Sequence, residues 1–338
     1  MRTGNPDTIR TLREQVGKLW WYHTIDLGNG IVTPGVYDHR PLLRYYGIPE
    51  SLGGKTALDI GTASGFFAFE FERRGASVVV ATDLPQVDHD LSPSYRKQRS
   101  ASSSLSTQSS YEKLEPNLKD PFLLAKEALG SQVIKKEINI YDISPETVGK
   151  FDVVFCGSLL LHLTDPLRAL FNIREVTKEL AIIATMIDLS PSKQPQALFL
   201  GGLNGISWWA PNLDCLVQMA KSAGFKDVQL VSTFNLTSLD QQSSTPHAVI
   251  KAWVDWPKPD TDTSTAINLS EQDSREATAP TRWSLICRAW GILQKRGARF
   301  SATFFMRNYV RRRLIRWVVV AKQKLDIIEA KLCNRWSA

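Results

Sequence analysis

After residue 55 the chain alternates short apolar runs with stretches whose apolar residues recur every three or four positions, a pattern that predicts strands separated by helices. Runs near 56–61, 77–82, 134–140, 151–156, 180–187, 226–233 and 247–254 read as seven strands. Helices are expected over 65–74, where Gly75 supplies a left-handed stop, over 121–129, from about Asp165-Pro166, and over 211–223, with proline at its start and Gly224 at its end. The first five strands are far enough apart for crossover connections. A short polar segment joins the last two, which should therefore pair antiparallel. The expected fold class is α/β, a doubly wound, mostly parallel seven-stranded sheet over 51–253, preceded by an N-terminal helical or cap segment over 1–50. Residues 84–120 break this economy: Ser100 to Ser110 is serine-rich and reads as a loop, either a lid or a tolerated surface insertion.

Composition changes the picture mainly at the C-terminal end. Residues 282–338 hold fourteen Lys or Arg against Asp326 and Glu329, a net of +12 that leaves −5 for residues 1–281 out of the total of +7. Residues 254–281, with Pro257, Pro259, Pro280 and repeated Asp, Thr and Ser, read as an acidic linker, and 282–338 as a basic helical region. The basic residues Arg307, Arg311, Arg312, Arg313 and Arg316 spread around a helical wheel, which blunts a membrane reading. No apolar run reaches the ~18–20 residues of a membrane span, and the start of the chain lacks a signal-type apolar stretch, so the expected compartment is the cytoplasm. Cys156, Cys215, Cys287 and Cys333 form no C-x-x-C pair, and neither a zinc site nor a disulfide framework is expected.

The chemistry is concentrated in Ala57-Leu-Asp59-Ile-Gly61-Thr-Ala63-Ser-Gly65-Phe, a strand, tight turn and helix start. Asp83, followed by Leu84, stands at the end of the next strand, where a carboxylate is placed to accept two ribose hydroxyls. The glycines are spaced G-x-x-x-G with Ala63 between, unlike the G-x-G-x-x-G that closes on a pyrophosphate. A cofactor without phosphate, S-adenosyl-L-methionine, suits such a turn, its carboxylate and amine lying beside a helix N-terminus. Asp142, at the end of the third strand region, is placed to accept the adenine amino group; Gly157 and Ser158, at the end of the fourth, lie next to the reactive sulfonium.

These features resemble class I S-adenosylmethionine-dependent methyltransferases, and more narrowly the branch around the tRNA wobble-uridine 5-oxyacetic acid synthase, which transfers a carboxymethyl group. The likeness runs from about Trp20 to about Phe234 and includes Trp21-Tyr22-His23-Thr-Ile-Asp26, Thr33-Pro-Gly35, Ala125-Lys-Glu-Ala-Leu-Gly130, Phe151 to His162, Asp165-Pro-Leu167 and Ala223-Gly-Phe225. The resemblance implies the doubly wound fold, S-adenosylmethionine as donor, and in-line transfer to a nucleophile. Where the branch has Tyr-His after the fourth strand, this chain has Leu161-His162; an apolar Leu161 cannot anchor an extra carboxylate, which favours the ordinary donor. The region after residue 281 has no counterpart in the branch.

Three side chains are candidates for handling the acceptor's proton. His162 follows the fourth strand, and a neutral imidazole is available at pH 7. By resemblance Tyr22 and His23 lie in the segment covering the acceptor pocket. Trp208-Trp209 read equally as an acceptor-stacking element or as lid packing. The expected acceptor is a small molecule or glycan. Alternatives are an RNA held through the basic tail, and a cofactor-binding scaffold whose basic module docks on an anionic membrane or an acidic protein.

Overall fold

Apolar side chains on both faces of a strand require cover on both faces, and the strands of this chain are covered in that way. The computed structural model describes residues 6–84, 120–203 and 206–256, which fall within a unit ending at Asp260. The serine-rich loop beyond Leu84, the linker beyond Trp256 and the basic region over 282–338 lie outside the described residues.

Helix α1 (Pro6–Lys18) is followed by a strap of irregular backbone over residues 19–52. Then come β1 (Thr56–Ile60), α2 (Phe66–Arg73), β2 (Val78–Asp83), α3 (Pro121–Leu129), β3 (Ile134–Glu137), β4 (Phe151–Gly157), α4 (Pro166–Val176) and β5 (Thr177–Met186). A hairpin of β6 (Ala197–Leu203) and β7 (Ser207–Pro211) precedes α5 (Leu213–Ser222), β8 (Asp227–Thr237) and β9 (Ser244–Trp253). The main sheet runs β3-β2-β1-β4-β5-β9-β8. Its first five strands are parallel, and β9 pairs antiparallel with both β5 and β8.

Two elements differ from the pattern reading. Strand β3 stops at Glu137 because Asn139 turns the chain: its side chain accepts from the Tyr141 backbone N at 3.0 Å and opens a 3-10 turn over Ile140–Asp142, so Asp142 stands beyond the strand. The β6–β7 hairpin is a separate antiparallel pair outside the seven strands read from the sequence; the glycine pair of β6, Gly201 and Gly202, hid it from a strand template.

Helix starts follow side-chain caps. Asp120, Asp165 and Asn212 accept from the backbone N of Phe122, Arg168 and Cys215 respectively. One face of the sheet packs Ala57, Val79, Val153, Phe155 and Ile182 against α1, the strap, α2 and α3. The other packs Leu58, Ile60, Val154, Ile183 and Ile250 against α4 and α5. Helix α2 buries Phe66, Phe67, Phe69 and Phe71, each worth about 2–3 kcal/mol relative to exposure. Its Glu70 accepts from Arg73 Nε and Arg74 Nε, while Arg74 Nη1 donates to the carbonyls of Ile48 and Pro49, fastening the end of the strap.

Candidate active site

In an open parallel sheet the ligand crevice opens at the carboxyl ends of the strands where the strand order reverses, here between β1 and β4. The Gly61–Gly65 turn occupies that point. Gly65 caps α2 with φ 95°, and a Cβ there would fall 2.5 Å from the Phe69 ring and 2.7 Å from that of Phe122, so no other residue closes the turn.

Asp59 braces the turn from below. Its Oδ2 accepts from Thr62 Oγ1 at 2.6 Å and from the Ala68 N of α2 at 3.1 Å. Burial pushes its pKa up to about 7, partly opposed by the Thr62 hydrogen bond. Asp83 braces it from the side. Its Oδ2 accepts from Ala63 N at 2.7 Å and its Oδ1 from Leu84 N at 2.8 Å, and burial raises its pKa. The loop after β4 lies over the turn, with Leu159 Cδ2 3.1 Å from where a Gly61 Cβ would stand. Gly61, Ala63, Gly65, Asp83, Leu84, Gly157 and Ser158 are thus gathered at one end of β1, β2 and β4. Asp142 is exposed on its 3-10 turn.

The strap is the other wall. Tyr22 N donates to Ser64 Oγ of the turn at 3.1 Å. His23 is 3% exposed, its ring 5.9 Å from that of Phe66 and 6.0 Å from Phe67. The Tyr22 ring packs on those of His23 and Tyr37 at 4.8 and 5.2 Å.

His162 ends the 3-10 turn Leu160–His162. Its Nδ1 is 2.8 Å from the carbonyl of Ile206, so Nδ1 carries the proton and donates, leaving the lone pair on Nε2. Burial lowers its pKa. Trp209 Nε1 donates to the Thr164 carbonyl at 3.1 Å, and these two bonds hold the β6–β7 hairpin on the turn. Behind it is an apolar cavity of about 250 Å³ lined by Leu160, Thr164, Pro166, Trp209, Leu216 and Met219.

Two residues escaped the sequence reading, His39 and His247. The His39 ring lies 5.2 Å from that of His23, and its Nδ1 is 2.8 Å from the Tyr46 hydroxyl. His247 stacks on Phe234 at 5.8 Å; burial lowers both pKa values, to about 3 for His39 and about 4 for His247, with His247 adding to the shift of His39 and His162 adding to that of His247. Four of the five histidines of the chain, His23, His39, His162 and His247, thus have pKa values lowered by burial. A lone His on a strand carries no spacing signal, so only the fold reveals this burial.

The sheet order, with an antiparallel strand inserted beside β5, and the glycine turn at the strand ends define the class I methyltransferase fold. The N-terminal domain of EvdMO1, solved with S-adenosylhomocysteine bound, shares it: 13% identity, 75% of this chain and 98% of that one covered, TM-score 0.51. The same domain in the presence of S-adenosylhomocysteine and D-fucose matches at 14% identity over 74% of this chain and 97% of that one, TM-score 0.50. In sequence the chain is 22% identical over 203 residues to the tRNA U34 carboxymethyltransferase of Helicobacter acinonychis (strain Sheeba), covering 57% of this chain and 64% of that relative. No family model matches the chain.

Proposed function

We propose that the protein is an S-adenosylmethionine-dependent methyltransferase acting on a small-molecule or glycan-type acceptor. The observation that carries this reading is the bracing of the Gly61–Gly65 turn by Asp83 at the switch point of the sheet. The residues present fit the donor. Each Asp83 oxygen accepts one backbone N–H and keeps lone-pair capacity for a ribose hydroxyl, and the N-terminus of α2 faces the side where a carboxylate is favoured. When bound, the donor would supply an electrophilic methyl carbon to the acceptor's lone pair, its sulfur keeping the electrons of the broken sulfur–carbon bond.

The chain's own residues then have three tasks. Asp83 and the exposed carboxylate of Asp142 would hold the adenosyl group by its ribose and its adenine. Asp59 keeps the turn open. His162, with its Nδ1 proton committed to the Ile206 carbonyl, presents a basic Nε2 to a hydroxyl that must lose a proton. Leu161 is buried and offers no hydrogen bond, which supports the unmodified donor over a carboxylated one.

Titration calorimetry of the full chain with S-adenosylmethionine and with S-adenosylhomocysteine tests this. Both should bind, and Asp83→Ala should weaken them at least about tenfold, the loss of one charge-assisted hydrogen bond. A wild-type chain that binds neither ends the proposal. The tRNA reading is favoured by the Helicobacter relative and the +12 of residues 282–338; methyl incorporation into bulk tRNA, lost on deletion after residue 281, would put it first.

A further inference from the structure

The β6–β7 hairpin does not close flush on the body of the fold. Between it, the Leu160–His162 turn and the first turns of α4 and α5 lies the cavity of about 250 Å³. Leu160 and Leu216 belong to the buried core and mark its closed end. Thr164, Asp165 and Ala197, which also line it, are exposed and mark the end open to solvent. Trp209 carries apolar surface outward from the cavity, its ring 4.7 Å from that of Phe199, which is exposed beside Leu198.

The polar groups of the wall are already bonded within the chain. Asp165 Oδ1 accepts from Arg168 N at 3.0 Å, and Asp165 N donates to the Tyr141 hydroxyl at 3.0 Å. The Thr164 carbonyl accepts from Trp209 Nε1, and the Pro211 carbonyl from Asp188 N at 2.9 Å. Water in the cavity therefore has few partners, and an apolar group that displaces it gains affinity. An ion would give up its hydration for an apolar lining, and an anion would in addition have to pass the Asp165 carboxylate at the open end. An apolar cavity of roughly 150 Å³ takes up benzene, so about 250 Å³ accommodates two fused rings. The rings of Trp209, Pro166 and Pro211 and the soft thioether of Met219 suit a flat aromatic guest better than a globular one.

We propose that this cavity is a binding site for an uncharged aromatic group of about two fused rings, inserted from the Thr164–Ala197 side against Trp209. Two of its walls are functional neighbours: Leu160 lies on the turn that ends in His162, and Trp209 on the hairpin whose Ile206 carbonyl takes the His162 Nδ1 proton. Binding here needs neither donor nor methyl transfer, so it stands apart from the methyltransferase reading and survives that reading's failure.

Met219 supplies the reporter. The chain has four methionines, so ¹³C-methyl labelling of methionine in the full chain gives few resonances, and Met219→Leu identifies that of Met219. The probes are indole and 2-naphthol, uncharged at pH 7, with 2-naphthoate as the anion and 1-adamantanol as a globular aliphatic alcohol. Indole and 2-naphthol should shift the Met219 methyl by ring current and saturate at about 0.1–1 mM, while 2-naphthoate and 1-adamantanol bind at least about tenfold more weakly. Ala197→Trp, a plug at an exposed position, should weaken both aromatic probes at least about tenfold, with the Met186 methyl of β5 unmoved as the check on folding. No saturable Met219 shift, equal binding of the anion or of the aliphatic alcohol, or indifference to Ala197→Trp would overturn the proposal. So would a Met219 shift that follows protein concentration without any probe, which would make a second copy of the chain the occupant.

Discussion

Tyr22 and Ser64 are joined across 42 residues of sequence, the Tyr22 backbone N donating to Ser64 Oγ at 3.1 Å. This bond connects the strap to the glycine turn, so the wall that carries His23 is positioned by the turn that carries Asp83's partner Ala63. Ser64 is buried, so its hydroxyl is shielded from bulk solvent. Ser64→Ala should cost about 1 kcal/mol of unfolding free energy, the net worth of one internal hydrogen bond, measured from the urea midpoint. An unchanged midpoint would show that the strap docks by packing alone.

Gly35 fixes the return leg of the strap. A Cβ at this position would stand 2.2 Å from the His23 carbonyl carbon and from Thr24 N, both backbone atoms that cannot rotate away. The approach is held by Tyr37 N donating to the Tyr22 carbonyl at 3.0 Å and by Thr33 Oγ1 donating to the His23 carbonyl at 2.8 Å. Gly35→Ala should destabilise by about 3 kcal/mol, the upper range of overpacking, and a thermal melt shifted by less than a degree or two would contradict the geometry.

How much of this was legible depended on distance along the chain. Strands β1, β2 and β4 and the helix start at Asp165-Pro166 follow from local pattern, because burial period and cap chemistry act within a few residues, whereas α5 begins at Leu213 behind the Asn212 cap, since Pro211, read as its start, ends β7. The turn from Asp59 to Gly65 and its partner Asp83 were equally readable, since a fixed β-α-β geometry ties their spacing to their position. The hairpin carrying Trp209 was not, because glycine-broken strands lack the alternating pattern of a half-buried sheet. Nor was the approach of His39 to His23 and His247: the first two come from the strap and the third from β9, the strand inserted beside β5, and no local rule anticipates that convergence.

The hairpin sets the environment of His162. Trp209 Nε1 bonds the Thr164 carbonyl, and the adjoining Ile206 carbonyl receives the His162 Nδ1 proton. Trp209→Ala removes the first anchor and the ring that lines the cavity behind it. Burial is the main cause of the lowered His162 pKa, so water admitted by this change should raise it toward the ordinary 6.5. An NMR titration of the His162 ring protons would read this directly; a value that stays put would detach the hairpin from the imidazole.

The neutral imidazoles also govern stability with pH. In the unfolded chain each histidine titrates near 6.5, whereas in the fold His39 titrates at about 3 and His247 at about 4, driven down first by burial. Below pH 6.5 the unfolded chain therefore binds more protons, so stability present above that pH is lost as pH falls toward 4. Asp59 works in the opposite sense: its folded pKa of about 7 lies above the unfolded carboxylate value of roughly 3.9, and its contribution declines as pH rises between them. Four histidines with lowered pKa values, His23, His39, His162 and His247, against the raised Asp59 and Asp83 leave a net rise with pH between 5 and 6. His247→Phe removes one of the four and should flatten the slope of unfolding free energy there by about 1.4 kcal/mol per pH unit, the equivalent of one proton; Asp59→Asn should steepen it by a similar amount. Urea titrations at pH 5, 5.5 and 6 separate the two effects by sign, and equal slopes in the wild type and both variants would mean that these groups are not held neutral by the fold.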